Sequence, residues 1–154
     1  MNFEMRHEDI FSHVGEADAR FVQCLSSDYA AGKGIALGFN KYFDIKNKLH
    51  NSVRGNKKHW VGKGYMVKLI GSPVFNLITK QYYYHKPTYD TLVQALEDMK
   101  SYLLKEMTEE ELKKLTFYMP MIGCGLDKLE WERVCIIIHG VFEFVPINIV
   151  VCYL

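Results

Sequence analysis

A chain of 154 residues, 49% hydrophobic and 24% charged, has the size for one domain with a proper core and is too apolar to stay disordered. Nineteen lysines and arginines against eighteen aspartates and glutamates leave a formal charge of +1. That balance excludes a whole-molecule electrostatic case for nucleic acid or membrane, while leaving room for a local basic patch.

The first element predicted is a short strand over residues 3–6, ahead of the charged turn His7-Glu8-Asp9 and the apolar pair Ile10-Phe11. A second strand spans 21–25 and ends at Ser26, Ser27 and Asp28. A helix follows over 34–43, where apolar residues recur at helical spacing. The stretch 46–63 carries Lys46, Lys48, Arg54, Lys57, Lys58 and Lys63 and reads as a solvated helix and loop, or as a weak nucleic-acid footprint. Strands over 65–70 and 74–79, separated by Gly71-Ser72-Pro73, read as a hairpin. The clearest helix spans 88–105: Leu92, Ala95, Leu96, Met99 and Leu103 form one stripe, Thr88 is a good N-cap, and Pro87 stops any helix before it. A short helix over 109–114 and a strand over 115–119, halted by Pro120, come next. A helix over 129–144 turns Trp131, Val134, Ile137, Ile138 and Val141 inward, and a β-branched strand over 147–153 closes the chain. This interleaving predicts an α/β fold, and the hairpin predicts a mixed rather than purely parallel sheet. No repeat or linker composition interrupts the chain, so a single domain over 1–154 is expected.

Cys24, Cys124, Cys135 and Cys152 form no C-x-x-C, and no histidine pair has zinc spacing, so free thiols of a reducing compartment and no metal are expected. The first residues carry charges throughout, without the apolar core of a signal peptide, and no apolar run reaches transmembrane length. These features predict an intracellular monomer without membrane partners.

Two glycine-rich loops each follow an apolar strand and precede a helix. One is Ala30-Ala31-Gly32-Lys33-Gly34-Ile35-Ala36, the other Ile122-Gly123-Cys124-Gly125-Leu126-Asp127. Glycine lets a ligand approach the backbone, and amide groups at a helix start attract anions, so two such loops on one sheet edge could grip a diphosphate. Plain turn chemistry explains either loop taken singly. Leu37 stands where the dinucleotide fingerprint needs its third glycine, and the spacing is not that of a P-loop.

In register over 3–154, the chain resembles a macrodomain, the ADP-ribose-binding module. More narrowly, it resembles the terminal ADP-ribose protein glycohydrolases and their relatives. The resemblance rests on Glu8-Asp9-Ile10-Phe11, Cys24-Leu25-Ser26, Gly32-x-Gly34-Ile35-Ala36, Leu77-Ile78-Thr79-Lys80 and His85-Lys86-Pro87-Thr88-Tyr89. Met119-Pro120-x-Ile122-Gly123-Cys124-Gly125-Leu126-Asp127-x-Leu129-x-Trp131 completes it. It implies a three-layer α/β/α sandwich with ADP-ribose in a cleft at the strand ends. It also implies that Asp9 accepts a hydrogen bond from the adenine amino group beside Ile10. Ser26, Gly32, Lys33, Gly34 and Ile35 on one side, and Pro120, Gly123, Cys124, Gly125 and Leu126 on the other, would bind diphosphate and distal ribose. Lys80 and Asp127 match the catalytic pair, the lysine attacking the anomeric carbon and the aspartate helping to resolve the adduct. Neither a metal nor a redox cofactor is implied.

Departures fall around the pocket. Met121 stands for an arginine, Gln23 for a histidine and Ser27 for an acidic residue, and Lys33 adds a cation to the first loop. A lysine acts as nucleophile only when deprotonated, so a neighbouring carboxylate is best cast as proton acceptor and donor. The plain alternative for Lys80 and Asp127 is a salt bridge or two solvated ends. Tyr82-Tyr83-Tyr84 reads as a packed lid, or as a base-stacking surface. His85 reads as a hydrogen-bonded structural histidine, and Cys124 lacks a base that would make it a nucleophile. The expected activity is mono-ADP-ribosyl hydrolysis from acidic side chains of proteins, with nucleic acid bases and O-acetyl-ADP-ribose as further substrates. A non-catalytic ADP-ribose reader, and a DNA-directed enzyme using the 46–63 stretch, are the alternatives.

Overall fold

The computed structural model describes residues 1–30, 32–52, 61–67 and 73–154, with side chains omitted at 50–52 and 64–67. Ala31, residues 68–72 of the predicted hairpin, and Arg54, Lys57 and Lys58 of the basic stretch lie outside the described residues. The strands are β1 (Asn2–His7), β2 (Ala19–Ser26), β3 (Lys63–Val67), β4 (Val74–Lys80), β5 (Thr116–Met119) and β6 (Asn148–Tyr153). The helices are α1 (Gly34–Phe43), α2 (Ile45–Ser52), α3 (Tyr89–Glu106), α4 (Glu109–Lys114) and α5 (Trp131–Phe142).

The six strands form one sheet in the order β1-β6-β5-β2-β4-β3. The first five in that order run parallel, and β3 pairs antiparallel with β4, so the sheet is mixed as the hairpin pattern implied. Alternate residues of each strand feed two cores, one on each face. Val22, Phe75, Leu77, Phe117, Met119, Ile149 and Val151 pack with the buried stripes of α3 and α5. Phe21, Leu25, Ile78, Tyr118 and Val150 pack on the other face with Phe39 and Phe43 of α1 and Ile45 and Leu49 of α2. This is a three-layer α/β/α sandwich.

The α3 stripe is buried throughout, and its N-terminus is closed by a capping box between Thr88 and Thr91. The Thr91 hydroxyl also donates to the Thr79 carbonyl at 2.8 Å, tying the helix start to the end of β4. Thr108 and Glu111 cap α4 the same way. The stretch read as solvated begins with a packed amphipathic helix: Ile45 and Leu49 of α2 are fully buried. A helix start at residue 129 is corrected to Trp131, because the N-cap Glu130 is in the extended conformation. Trp131 and Ile137, expected inward, are half-buried at the margin of the core. A 3-10 turn over Ile10–His13, too short to give a periodic signal, was not anticipated.

That turn packs on α1 through one glycine. A Cβ at Gly38 would lie 2.5 Å from Phe11 Cε2, and the Phe11 ring is stacked on Tyr42 and set edge-on to Phe39. Gly38→Ala must displace a ring already held on two sides, so we expect a loss of about 1–3 kcal/mol from overpacking, read as a lower urea midpoint. An unchanged midpoint would mean that the ring moves freely.

Candidate active site

Because the first five strands are parallel, their carboxyl ends share one edge of the sheet. The connections leaving β2 and β5 depart in opposite directions, toward β4 and toward β6, which makes the gap between them the switch point where α/β sheets hold ligands. The two glycine loops stand on either side of that gap.

The first loop leads into α1 with Lys33 as N-cap. Unlike the starts of α3 and α4, this one has no side-chain cap, so the first-turn N–H groups of α1 are not covered from within. Gly34 has φ +62°, a conformation suited to glycine. A Cβ there would lie 3.4 Å from Leu126 Cδ1, which shows that the two loops touch. Gly32, Lys33 and Ile35 are exposed beside it.

The second loop is shaped by its own backbone. Gly123 has φ +73°, and a Cβ there would come within 2.8 Å of Leu129 Cδ1, so the position accepts only glycine without rearrangement. The Leu129 amide donates to the Gly123 carbonyl at 2.8 Å, and Lys86 Nζ donates to the Leu126 carbonyl at 2.6 Å. Gly125 meets open space where a Cβ would stand. Among the described residues, the Gly125 and Leu126 amides donate to no protein acceptor, which leaves them able to receive an anion. Pro120 is half-buried where β5 ends. Cys124 is half-buried too, its thiol turned to the Ile122 carbonyl at 3.3 Å and pushed up to about 11 by burial. Burial thus disfavours the thiolate that nucleophilic attack needs.

Lys80 is the last residue of β4 and Asp127 the last of the second loop. Their side chains meet at 2.5 Å, Nζ to Oδ1, with only 13% and 16% of each exposed. The alternative of two solvated ends is thereby overturned. The pair faces Cys24, whose thiol is pushed up by burial first and by the Asp127 charge next. Ser26, opposite Lys80 on β2, is buried and donates its hydroxyl to Asp28 Oδ1.

The remaining predicted residues lie at the end of β1. Asp9 is exposed, and its Oδ1 accepts the Phe11 amide at 3.0 Å, capping the 3-10 turn. Ile10, expected beside the ligand, is 3% exposed and belongs to the core. The aromatic run after Lys80 needs correction. Tyr82, Tyr83 and Tyr84 pack on one another and on the His85 ring rather than on the body of the protein, and they stay 41%, 63% and 65% exposed.

Sequence reading missed a charged cluster beneath Asp9. His13, stacked on Tyr118 at 3.9 Å between centroids, meets Glu8 Oε1 through Nε2 at 2.6 Å and Glu16 Oε1 through Nδ1 at 2.8 Å. Arg6 Nη1 lies 3.7 Å from the same Glu8 oxygen, and the Cys152 thiol donates to it at 3.7 Å. The donor atoms of Glu8, His13 and Cys152 lie within 4.8 Å of one another, close enough to share a cation, but as built the Glu8 oxygen serves His13.

Burial acts to lower the His13 pKa, and bonds to Glu8 and Glu16 outweigh it, so the net shift is upward from 6.5. The bond to His13 in turn holds Glu8 below its ordinary 4.5. A raised histidine stabilises fully below 6.5, and that contribution is lost as pH rises through the folded-state value. The lowered Glu8 contributes above 4.5 and loses its contribution as pH falls. We expect the melting-temperature gap between wild type and His13→Gln to be widest between about pH 4.5 and 6.5 and to shrink on either side. A pH-independent gap would show that the ring stabilises by packing alone.

No family model matches the chain. It is 41% identical to an ADP-ribose glycohydrolase OARD1 of Bos taurus over 130 residues, covering 84% of this chain and 78% of that protein. Among solved structures, a macrodomain of Thermus aquaticus DarG superposes with a TM-score of 0.75 at 17% identity, covering 99% of this chain and 97% of that one. Thermosipho africanus DarTG, solved in complex with ADP-ribose, superposes with a TM-score of 0.71 at 16% identity over 99% of this chain and 41% of that one. The structural likenesses establish the fold, and the sequence likeness extends to kinship.

Proposed function

We propose a reaction on the premise of that kinship: the chain belongs to the family of ADP-ribose glycohydrolase OARD1, macrodomain enzymes, and is a hydrolase that removes ADP-ribose from its attachment. The carrying observation is the largely buried Lys80–Asp127 contact, at the sheet edge that also bears the two glycine loops. In this reading the loops hold the diphosphate and Asp9 receives the adenine amino group. Lys80 lies against the distal ribose.

Lys80 must lose a proton before it can attack, and Asp127 Oδ1 is the acceptor already in contact with it. Nζ then bonds to the anomeric carbon. The carbon–oxygen bond to the modified side chain breaks, and its electron pair leaves with the carboxylate. Asp127 passes the proton it took from Lys80 to the departing carboxylate, and so can take one from the water that attacks the same carbon. The carbon–nitrogen bond breaks, and Nζ regains its electron pair and a proton.

A carboxylate is a good leaving group, which favours acidic residues of proteins as the natural substrate. ADP-ribosylated nucleic acid and O-acetyl-ADP-ribose are tested beside them. The test is release of free ADP-ribose from a glutamate-modified protein, a modified oligonucleotide and the acetyl ester. Release from the protein at the highest kcat/KM supports the reading. Binding of ADP-ribose with no release from any of the three would make the chain a reader.

A further inference from the structure

Asp28 bridges the ends of the neighbouring strands β2 and β4, beside Lys80. Its Oδ1 accepts the Ser26 hydroxyl and the Ala30 amide, the latter at 3.2 Å, and its Oδ2 accepts the Tyr83 amide at 3.0 Å. Ser26 ends β2, Ala30 opens the first glycine loop, and Tyr83 lies three residues beyond Lys80. The backbone repeats the connection: Ser27 donates to the Lys80 carbonyl at 2.9 Å and Asp28 to the Gln81 carbonyl at 3.2 Å. The register of β2 against β4 slips by one between Leu25 and Ser26, which brings Ser26 opposite Lys80. Such a slip, with Tyr29 at a left-handed φ of 56° right after it, needs support from outside the ladder.

Three donors on two oxygens are a demand that only a carboxylate meets, since it accepts on both oxygens and donates on neither. Burial opposes the charge here, but the Ser26 hydroxyl and the Tyr83 and Ala30 amides outweigh it and hold the Asp28 carboxyl below its ordinary range. A fixed negative charge beside a loop suited to anions weakens anion binding. It is a poor choice for affinity and a good one for geometry.

We propose that Asp28 is a positioning residue for the hydrolysis: it locks the end of β4, and with it Lys80 Nζ, against the first glycine loop. The distance between nucleophile and diphosphate cradle is then set before substrate arrives. The proposal rests on the reading of Lys80 as nucleophile. Among the described residues the Asp28 side chain bonds Ser26, Ala30 and Tyr83 and not Lys80, so it acts through the backbone on either side.

Asp28→Asn separates its two halves. The amide oxygen at the Oδ1 place still accepts from Ser26 and Ala30, while the amide nitrogen opposes the Tyr83 N–H, donor against donor. The cradle stays and the segment after Lys80 is released. We expect kcat to fall by about 10- to 100-fold, with KM and the Kd for ADP-ribose within about threefold of wild type. Hydrogen exchange at the Tyr83 amide should accelerate in the variant.

A kcat equal to wild type would overturn the proposal. So would equal losses in kcat and affinity, or a variant that does not fold, because each makes Asp28 a support of the fold alone. Wild type and Lys80→Ala run beside it keep the premises apart. An active Lys80→Ala retires the nucleophile reading and this inference with it. A fully active Asp28→Asn beside an inactive Lys80→Ala retires the inference only.

Discussion

Lys80→Ala should lower kcat for release of ADP-ribose from a glutamate-modified protein by at least about 10³-fold, while ADP-ribose itself binds within about threefold of wild type. The expectation follows from where the side chain sits. Lys80 ends β4, which flanks β2 on the side away from β5, and its amine reaches Asp127 of the second loop. The contacts assigned to adenine and diphosphate lie elsewhere, at Asp9 and the glycine loops, so removing the amine leaves them intact. Lys80→Arg sharpens the test. Arginine keeps the positive charge and can still pair with Asp127, but it does not deprotonate in a protein and cannot attack. Equal loss in both variants indicates a nucleophile. An arginine variant retaining most of the activity would show that the cation stabilises charge and forms no bond. Beside Asp28→Asn, whose expected loss in kcat is about 10- to 100-fold, the larger loss in Lys80→Ala separates the attacking residue from the positioning one.

Asp127→Ala should slow the attack, because Lys80 must then lose its proton to solvent, and stall the reaction at the adduct. With the carboxylate gone, water lacks the group that would take its proton, and an ADP-ribosyl adduct on Lys80 should accumulate in the intact-protein mass spectrum under turnover. The adduct must vanish when Lys80→Ala is added to the same chain. Free ADP-ribose appearing at the wild-type rate would remove Asp127 from the mechanism. Stability falls as well, because the Lys80 amine, 13% exposed, loses its partner at 2.5 Å. Breaking a fully buried pair costs about 3–5 kcal/mol, and the partial access of water here reduces the expectation to about 2 kcal/mol. Asp127→Asn should recover part of that stability, since its carbonyl still accepts from the ammonium, without recovering turnover.

Local pattern carried most of the element map. The α3 stripe from Leu92 to Leu103, its Thr88 cap and the α1 span Gly34–Phe43 match the sequence reading because periodicity, capping and turn chemistry act within a few residues. What failed was either short or decided by context. The turn Ile10–His13 is one turn long and has no period to detect. Burial of Ile10 depends on Phe39 and Val150, which stand far away in sequence, and the exposure of Tyr82 to Tyr84 depends on the body of the protein ending beneath them.

The site divides the same way. Two strand–glycine–helix loops could be read directly and suggested an anion cradle, while the pairing of Lys80 with Asp127 came from the family resemblance and from no spacing rule. Forty-seven residues separate that pair, and only the sheet order, which sets β4 next to β2 and β2 next to β5, brings them to one edge. Asp28 and His13 carried no motif at all. Their partners are a backbone amide fifty-five residues away in one case and an aromatic face on another strand in the other. The sequence alone therefore determined the alternation of helices and strands, the two-faced apolar patterning and the loops that must turn sharply, since these follow from each residue's own backbone and burial preferences. Tertiary structure decided which side chains meet, because register and strand order emerge from the whole chain collapsing on two cores at once.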